Sequence, residues 1–327
     1  MKYNTALFCE FDKYAAESYC AVHGVDHSLN IGDITQADEK SVPDFNVMFG
    51  GSPCQDFSIA GKQGGVAWKC KSCDHTYNPL EAHYTVRYKC PKCGSTEIDK
   101  TRSSLLVEWL RFLREKKPRF AIYENVKNIV GARFKETFDL FVRELEEYGY
   151  NVYWQVLNAK NYGIPQNRER VYCVIIRKDL DNGQFRFPEP IPLKSSLSDL
   201  LEDEVDEHYY LSDEKVAQMI APPHSVRSAI PSDQADADQP TDTHGTCCQS
   251  SPVNLGNVNP SGRGMNGSVY DSRAISPTLT TNKGEGIKVA KYGCEFKGYT
   301  DVALTVEARD YKGFGKQQMT GVIESNE

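Results

Sequence analysis

The chain has 327 residues, a formal net charge of −7 and eleven cysteines. This length suffices for one large α/β domain and a smaller one, and the negative charge excludes a global basic field but not a local basic face. The sequence shows no apolar run long enough to cross a membrane and no signal-peptide pattern, so we expect a cytoplasmic protein without a membrane partner. The cysteines are then expected to be thiols or metal ligands rather than disulfides.

The first segment is predicted to form a strand and a helix. Residues 6–9 are apolar and end at Glu10, and residues 13–22 have a helical pattern stopped by Gly24. An acid at the end of such a strand can bind the ribose of a nucleoside, although an exposed surface acid is the commoner case. Asp33 follows a second short edge and could meet an adenine amine, with the same alternative open.

The segment 45–58, FNVMFGGSPCQDFS, contains an apolar run, 47–49, that predicts a buried parallel strand. Two glycines and a Ser-Pro break the strand, and Cys54 follows at the tip of the break. Open α/β sheets place catalytic groups at this position, and a thiol there can be activated by nearby dipoles and cations. The alternative is a small buried hydrophobic side chain.

Four cysteines in two C-x2-C pairs, Cys70, Cys73, Cys90 and Cys93, predict a structural zinc ribbon inserted at residues 66–100. Residues 62–102 contain eight basic and four acidic residues, a local charge of +4. That charge suits a module that extends the loop after Cys54 and grips DNA phosphate, and a solvated ribbon surface is the equal alternative.

Strands and helices alternate through the next segment. Helices are predicted over 103–114 and 133–148, and strands over 120–123, 152–157 and 171–176. Glu124 follows one of these strands, and Arg168 and Arg170 precede another. The alternation predicts a doubly wound, mostly parallel, Rossmann-like sheet.

Three regions are predicted from these patterns. Residues 1–184 form a catalytic domain, residues 185–275 a loop-rich region with a disordered stretch near 228–246, and residues 276–327 a segment with a faint strand-turn repeat, 276–289 and 303–322.

Three motifs, GGSPCQDFS, ENVKN and QNRERVY, together with the helix SSLLVEWLRFLREKKP, give the sequence its family resemblance. In this order and spacing they resemble the bacterial and phage cytosine-C5 DNA methyltransferase family. The resemblance covers residues 6–176 and, more loosely, SPTLTT. It implies DNA (cytosine-5-)-methyltransferase activity on duplex DNA, in a restriction-modification or phage modification system, with region 185–275 as the target-recognition region.

The resemblance also implies roles for individual residues. Cys54 is the thiolate that attacks cytosine C6, and Glu124 is the protonated carboxyl that contacts N3. Arg170 holds the cytosine O2, Arg168 supports the pocket, and Asn125 orders the loop around Cys54. The cytosine must leave the duplex stack for this chemistry.

For the cofactor, S-adenosyl-L-methionine, the resemblance implies five contacts. Glu10 binds the ribose, Phe11 stacks on the adenine and Asp33 meets the adenine amine. Leu105 lines the pocket, and Pro53 contacts the cofactor beside the nucleophile.

Two family features do not occur in this sequence: the Phe-x-Gly-x-Gly turn that cradles the methionine part of the cofactor and the final Gly-Asn-x-Val/Pro helix. We therefore expect an incomplete methyltransferase sheet with exposed apolar edges, and a complementing polypeptide is a possible partner. One alternative is a fragment or split subunit that alone only binds DNA. Another is a tRNA cytosine methyltransferase, against which the long region 185–275 argues.

Overall fold

The computed structural model describes residues 4–54, 56–57, 64–201, 250–257, 268–278, 288–296 and 299–304. The chain divides into two compact units, Met1–Leu157 with Glu169–Pro188, and Asn158–Arg168 with Glu189–Glu327. The predicted domain limits at 184 and 275 stay predictions. The predicted disorder near 228–246 lies outside the described residues, as does most of the predicted repeat.

The first unit contains three α-helices and seven strands among its described residues. The helices are α1 (Lys13–His23), α2 (Leu105–Lys116) and α3 (Lys135–Glu147). The strands are β1 (Val47–Gly50), β2 (Trp68–Cys70), β3 (Thr76–Tyr77), β4 (Ile98–Lys100), β5 (Phe120–Val126), β6 (Tyr150–Asn158) and β7 (Glu169–Arg177). The predicted helices and the predicted strands between 47 and 177 are confirmed with shifted ends.

The main sheet is mixed rather than mostly parallel. Its strand order is β1-β5-β7-β6, with β1 parallel to β5 and β5 antiparallel to β7. The prediction was wrong on the direction of β7, because the apolar pattern of a strand is the same whichever way the chain runs. The antiparallel pairing places the amino end of β7, with Arg170, at the edge where β1 and β5 end.

One hydrophobic core joins this sheet to α2 and α3. Helix α3 buries one face, formed by Phe138, Phe141, Glu144 and Leu145, whereas α2 is buried along most of its surface between Leu106 and Leu113. The core contains fully buried side chains from α2, α3 and β5, among them Leu106, Leu110, Phe138, Phe141, Leu145 and Tyr123. The packing fixes β5 against the helices and therefore fixes the carboxyl end of β5, where the functional residues lie.

The ribbon is part of the same core. Strands β3, β2 and β4 form a three-stranded antiparallel sheet in that order, and Trp68, Tyr77 and Leu80 pack into the cluster described above. Arg87 of the ribbon forms a buried ion pair with Glu144 of α3, at 2.7 Å. The ribbon therefore packs against α2 and α3 within the first unit, which is called the catalytic unit below.

The segment before β1 differs from its prediction. Residues 6–9 form no strand, and Phe8 makes only an isolated parallel bridge with Asn30. Helix α1 is capped at its start by Asp12, whose carboxylate accepts hydrogen bonds from two main-chain N–H groups, and at its end by Gly24, which has φ 62°. On α1 only Ala16 is buried, so this segment depends on few apolar contacts.

Strand β1 is parallel, as predicted, but it is not buried on both faces. It is the edge strand of the sheet, and Val47 and Phe49 are 43% and 69% exposed. The other face is covered by α2, where Gly50 lies against the Trp109 ring. One face and one edge of β1 thus remain uncovered within the described residues.

The second unit contains a four-stranded sheet of β8 (Asn254–Asn257), β9 (Ser268–Asp271), β10 (Lys288–Phe296) and β11 (Tyr299–Leu304). The order is β11-β10-β9-β8, with β9 and β10 parallel and the other pairs antiparallel. Across the described parts of both units, the helices are too short or too polar to span a membrane.

Candidate active site

The site lies where β1 and β5 end and β7 begins. Register pairs Gly50 with Tyr123 across β1 and β5, and Val126 with Arg170 across β5 and β7. Strand β5 extends to Val126, three residues beyond the predicted end, so Glu124 lies within the strand. The sheet itself therefore sets the spacing between the Cys54 turn, Glu124 and Arg170.

Glu124 and Arg170 form an ion pair, with the guanidinium Nε 3.0 Å from the Glu124 Oε1. The Arg170 side chain is 13% exposed and the Glu124 side chain is 38% exposed. The planar Arg170 guanidinium and the partly exposed Glu124 carboxylate together offer hydrogen-bonding groups to a planar polar ligand that binds beside them. Both side chains are within reach of one small ring.

Gly51 brings the Cys54 turn against Glu124. A Cβ at position 51 would lie 2.3 Å from the Glu124 main-chain oxygen and 3.4 Å from its carboxylate Oε2. No side chain fits at the first distance, so only glycine allows this approach. The Gly-Gly in the motif thus has a steric reason.

Asn125 holds the start of the turn. Its amide Nδ2 lies 3.1 Å from the Ser52 main-chain oxygen, 3.2 Å from Ser52 Oγ and 2.9 Å from Tyr123 Oη. Burial raises the pKa of Tyr123, so its phenol stays neutral beside Ser52 Oγ, 2.7 Å away. These contacts place Asn125 beneath the loop that carries Cys54, where it is expected to act.

Two further side chains, which were not predicted from the sequence, bind the Cys54 turn. Ser103 Oγ donates to the Pro53 main-chain oxygen at 2.7 Å and accepts from the Asp56 N–H at 3.1 Å. Asn128 Nδ2 donates to the Phe57 main-chain oxygen. The Ser-Ser before α2 is typical of a helix cap. A cap pattern gives no indication that Ser103 contacts a turn about fifty residues earlier in the chain.

Arg168 belongs to the second unit, unlike the other predicted catalytic residues. Its main-chain N–H donates to Asn158 Oδ1 at 3.1 Å, and its main-chain oxygen accepts from the Ala159 N–H at 3.1 Å. These bonds close a loop between β6 and β7. The predicted support of the pocket by Arg168 stays a prediction.

Glu10 and Asp33 each neighbour a residue of one contact, since the Cys9 thiol donates to the Gly32 main-chain oxygen at 2.9 Å. Burial, followed by the charges of Asp33 and Glu10, raises the pKa of Cys9 to about 11. Glu10 is fixed locally, since its Oε1 accepts from the Asp12 N–H at 2.9 Å and its main chain bonds Asn30. Phe11 is 82% exposed, so its ring is open to stacking by a flat ligand.

Helix α2 connects the Asp33 segment with Leu105. The Arg111 guanidinium donates to the main-chain oxygens of Ile34 at 2.7 Å and Ala37 at 3.0 Å and pairs with Glu39. Leu105, half-buried, is the first residue of the same helix. Pro53 is tied to the turn before α2 through Ser103. The acids, the open ring and the apolar side chain suit a nucleoside cofactor.

The four ribbon cysteines could hold a metal ion. Their sulfur atoms all lie within 4.8 Å of one another, with Cys70 and Cys93 at 3.5 Å and Cys73 and Cys90 at 3.6 Å. Tetrahedral Zn–S bonds of about 2.3 Å put sulfurs about 3.8 Å apart, so the spacing fits. Burial acts to raise the pKa of Cys70, but hydrogen bonds from main-chain N–H groups and Cys93 lower it to about 6.

Acidic side chains neutralise four of the ribbon's basic residues in ion pairs. The four pairs are Lys69–Asp74, Lys71–Asp99, Arg87–Glu144 and Lys100–Glu108. Lys89 and Lys92 are exposed, and neither forms an ion pair within the described part of the chain. Few cations of the described ribbon are therefore left without an acidic partner and able to bind phosphate, and the phosphate grip stays a prediction.

A sequence profile described as C-5 cytosine-specific DNA methylase matches residues 1–72 and 92–292. The chain belongs to this family. The resemblance predicted from the three motifs is thereby confirmed, together with the activity class, DNA (cytosine-5-)-methyltransferase. The match omits residues 73–91, the middle of the ribbon, so this stretch lies outside the family's common sequence.

Curated relatives in the family include phage and bacterial enzymes. The orphan methyltransferase M.SPRI of Bacillus phage SPR is 32% identical over 352 aligned residues, which cover 98% of this chain and 69% of the relative. The type II methyltransferase M2.ScrFI of Lactococcus lactis subsp. cremoris is 39% identical over 188 residues, 58% of this chain and 44% of the relative. This chain thus spans about two thirds of the phage methyltransferase's length.

Solved structures give partial likenesses. The Entamoeba histolytica methyltransferase EhMeth is 17% identical, with a TM-score of 0.43 over 65% of this chain and 57% of its own. A putative DNA modification methyltransferase encoded within an Escherichia coli prophage is also 17% identical, with a TM-score of 0.38 over 63% of this chain and 50% of its own. These likenesses are too partial to bear on function.

Proposed function

We propose that this member of the family methylates C5 of a flipped cytosine in duplex DNA, in a restriction-modification or phage modification system, through a covalent bond between Cys54 and cytosine C6. The observation that carries the proposal is the assembly of the Cys54 turn, Glu124 and Arg170 at one edge of one sheet. The three motifs supply, in one place, a nucleophile, a carboxyl group and a guanidinium.

The chemistry follows from what each group can do. The Cys54 sulfur bonds to C6, and the electron pair of the C5–C6 double bond moves through the ring toward N3, where Glu124 supplies a proton. Bound S-adenosyl-L-methionine supplies the methyl group that C5 then takes. Loss of the C5 proton to a base, return of the N3 proton to Glu124 and cleavage of the sulfur–C6 bond release 5-methylcytosine and restore the Cys54 thiolate.

Arg170 and Glu124 suit two neighbouring acceptors of cytosine, the exocyclic O2 and the ring nitrogen N3. Cytosine O2 is an acceptor for Arg170, and N3 beside it is the contact for Glu124. In the structure described here the two side chains bind each other. Entry of the base would exchange that ion pair for two contacts to the ring, so the pair keeps both groups aligned before the substrate arrives.

Covalent trapping tests the function. The probe is a pool of random-sequence duplexes in which 5-fluorodeoxycytidine replaces every deoxycytidine, incubated with S-adenosyl-L-methionine. Fluorine at C5 cannot leave as a proton does, so the Cys54 bond should persist on a denaturing gel. We expect an adduct from the unmodified chain and from Cys20→Ser, and none from Cys54→Ser.

The alternatives predict other outcomes. An adduct formed only on 5-fluorocytidine RNA would favour the tRNA branch of the family. Retardation of DNA on a native gel without any adduct would indicate a chain that binds DNA alone. Either result would overturn the proposed function.

For S-adenosyl-L-methionine, we propose the five predicted residues as its contacts: Glu10, Phe11, Asp33, Pro53 and Leu105. The Cys9–Gly32 contact beside the two acids, the exposed Phe11 ring and the Ser103 link between Pro53 and the turn before Leu105 support this. Phe11→Ala should weaken binding at least tenfold by calorimetry, since it removes the stacking surface. The control is Phe187→Ala, which removes a half-buried ring packed against Phe185 and should leave cofactor binding unchanged. Equal binding by Phe11→Ala and Phe187→Ala would contradict the proposal.

The uncovered edge of β1 supports a complementing polypeptide as a partner. The backbone of β1 pairs only with β5 among the described residues, and Phe49 leaves a large apolar face open. Sheet edges of this kind take an added strand readily. We expect this partner to tighten cofactor binding rather than to be essential for the Cys54 adduct, and tight cofactor binding and turnover by this chain alone would contradict the proposal.

For the ribbon we propose a structural zinc ion bound by Cys70, Cys73, Cys90 and Cys93. The spacing of the cysteines and the closeness of their sulfurs support this, and four thiolates without an open position suit a structural rather than a catalytic ion. Elemental analysis of the purified chain should give one zinc per chain. Cys73→Ser should lose it and Cys20→Ser should keep it.

A further inference from the structure

Ser103 contacts the chain on both sides of Cys54. Its hydroxyl donates to the Pro53 main-chain oxygen at 2.7 Å and accepts from the Asp56 N–H at 3.1 Å. The carboxylate Oδ2 of Asp56 in turn accepts from the Ser103 main-chain N–H at 3.1 Å. One buried serine therefore closes a ring of three hydrogen bonds around the turn that carries the nucleophile.

The hydroxyl of Ser103 is committed to this turn. Ser103 is fully buried, at 0% exposure, and the first turn of α2 has no side-chain cap, since the Ser104 hydroxyl donates instead to the Thr101 main-chain oxygen. A buried hydroxyl with both a donor and an acceptor partner is satisfied. Loss of the hydroxyl would leave two main-chain groups of the turn, the Pro53 oxygen and the Asp56 N–H, without this hydrogen-bond partner. The contact therefore has a role separate from starting the helix.

The ring also fixes the turn relative to α2. Ser103 lies in a 3₁₀ turn, Arg102–Ser104, between β4 and α2, and Leu105 follows it. Thr101 Oγ1, just before, donates to the Gly65 main-chain oxygen at 2.8 Å. The chain on both sides of the loop after Cys54 is thus bound to the same short segment.

We propose that Ser103 and Asp56 are positioning residues that hold the Cys54 sulfur in its attacking geometry, a role that rests on the proposed function. Neither residue touches the reacting atoms. They act through the main chain at Pro53 and Asp56, and misplacing a nucleophile by about 1 Å can cost on the order of 100-fold in rate.

The test compares Ser103→Ala with Ser104→Ala, a matched control that is also buried and hydrogen-bonded but does not touch the turn. Two quantities are measured: hydrogen exchange of the peptide that contains residues 53–57, and the rate of adduct formation on the 5-fluorocytosine duplex pool. We expect Ser103→Ala to speed exchange at least tenfold and to slow adduct formation about 10- to 100-fold. The DNA dissociation constant should match that of the control.

Asp56 provides the conservative check. Asp56→Asn keeps an oxygen that can accept from the Ser103 N–H and should retain most of the adduct rate, whereas Asp56→Ala should resemble Ser103→Ala. Equal exchange and equal adduct rates in Ser103→Ala and Ser104→Ala would overturn the proposal. If the unmodified chain forms no adduct, the proposed function fails, and the exchange comparison alone decides whether Ser103 holds the turn.

Discussion

Asn125 is 1% exposed, and its amide nitrogen lies within 3.2 Å of three oxygen atoms. The Ser52 main-chain oxygen is one of them, so the Cys54 turn depends on a donor that only an amide supplies here. An aspartate of the same shape has two acceptor oxygens and no donor. Replacing the Asn125 amide nitrogen by an oxygen atom should therefore disturb the Cys54 turn.

We predict that Asn125→Asp costs about 3 kcal/mol of unfolding free energy, because it buries an anion against oxygen acceptors. Urea denaturation measures the change. Asn182→Asp is the control: Asn182 is exposed, and the oxygen that accepts from the Gln184 N–H is retained in aspartate. A loss no greater than that of the control would contradict the contacts assigned to Asn125.

Cys9 reports on the two acids assigned to the cofactor. With a pKa of about 11, raised by partial burial and by Asp33 and Glu10, its thiol is neutral at pH 7, and its alkylation rate should keep rising with pH up to about 11. Asp33→Asn removes a negative charge, lowers the pKa of Cys9 and should speed alkylation at pH 9.5 about twofold to fivefold.

The control for this measurement is Asp44→Asn, because Asp44 is exposed and pairs with Lys116 away from Cys9. Mass spectrometry of the peptide that contains Cys9 separates its reaction from those of the other cysteines. Equal rates in the two variants would place Asp33 too far from Cys9 to contribute to a shared site.

At the scale of elements, the sequence predicted most of the strands and helices but not their directions or their joins. Helical spacing of apolar residues located α2 and α3, and the motifs located Cys54, Glu124 and Arg170. The hydrogen bonds of Ser103 were out of reach, because they join segments distant in the chain and leave no periodic pattern. The exposure of Phe49 was missed for a related reason, since an apolar run does not reveal which strands flank it.

A buried ion pair, Arg87–Glu144, joins the ribbon to α3, and its two side chains are 3% and 8% exposed. We predict that Arg87→Ala costs about 3–5 kcal/mol, because Glu144 is left buried without its cation. The double variant Arg87→Met, Glu144→Leu should be more stable than Arg87→Ala, since no charge remains buried.

The exposed pair Lys135–Asp139 on the same helix is the comparison. Both side chains are 50% exposed, so Lys135→Ala should cost under about 1 kcal/mol. Urea denaturation of the four proteins gives the ranking. A similar small cost for Arg87→Ala would mean that the ribbon does not dock on α3 through this pair.

At the scale of the whole molecule, the ribbon and the catalytic unit share one core. Tyr77 and Leu80 lie within the stretch 73–91 that the family profile omits, yet both belong to the cluster that contains Leu110 and Phe141. What this chain adds to its family's common sequence has thus become part of its interior.

On the proposal that the ribbon binds zinc, chelation should destabilise the catalytic unit as well as the ribbon. We predict one cooperative unfolding transition, shifted to lower urea in Cys93→Ser or after treatment with a chelator, and followed equally by the buried Trp68 and Trp109. Cys20→Ser should leave the midpoint unchanged. Two separate transitions, one per tryptophan, would instead indicate independent modules.

The position of the ribbon in the chain has a consequence for the order of folding. Strands β1 and β5 are neighbours in the sheet, but the whole ribbon and α2 lie between them in the chain. On the proposal that the ribbon binds zinc, a ribbon that closes first, from contacts nearby in sequence, shortens the flexible length that must be brought together before β1 pairs with β5. It therefore reduces the entropy lost on closure. Zinc supplied before refolding should therefore speed assembly of the sheet, whereas zinc supplied afterwards can only stabilise what has already formed.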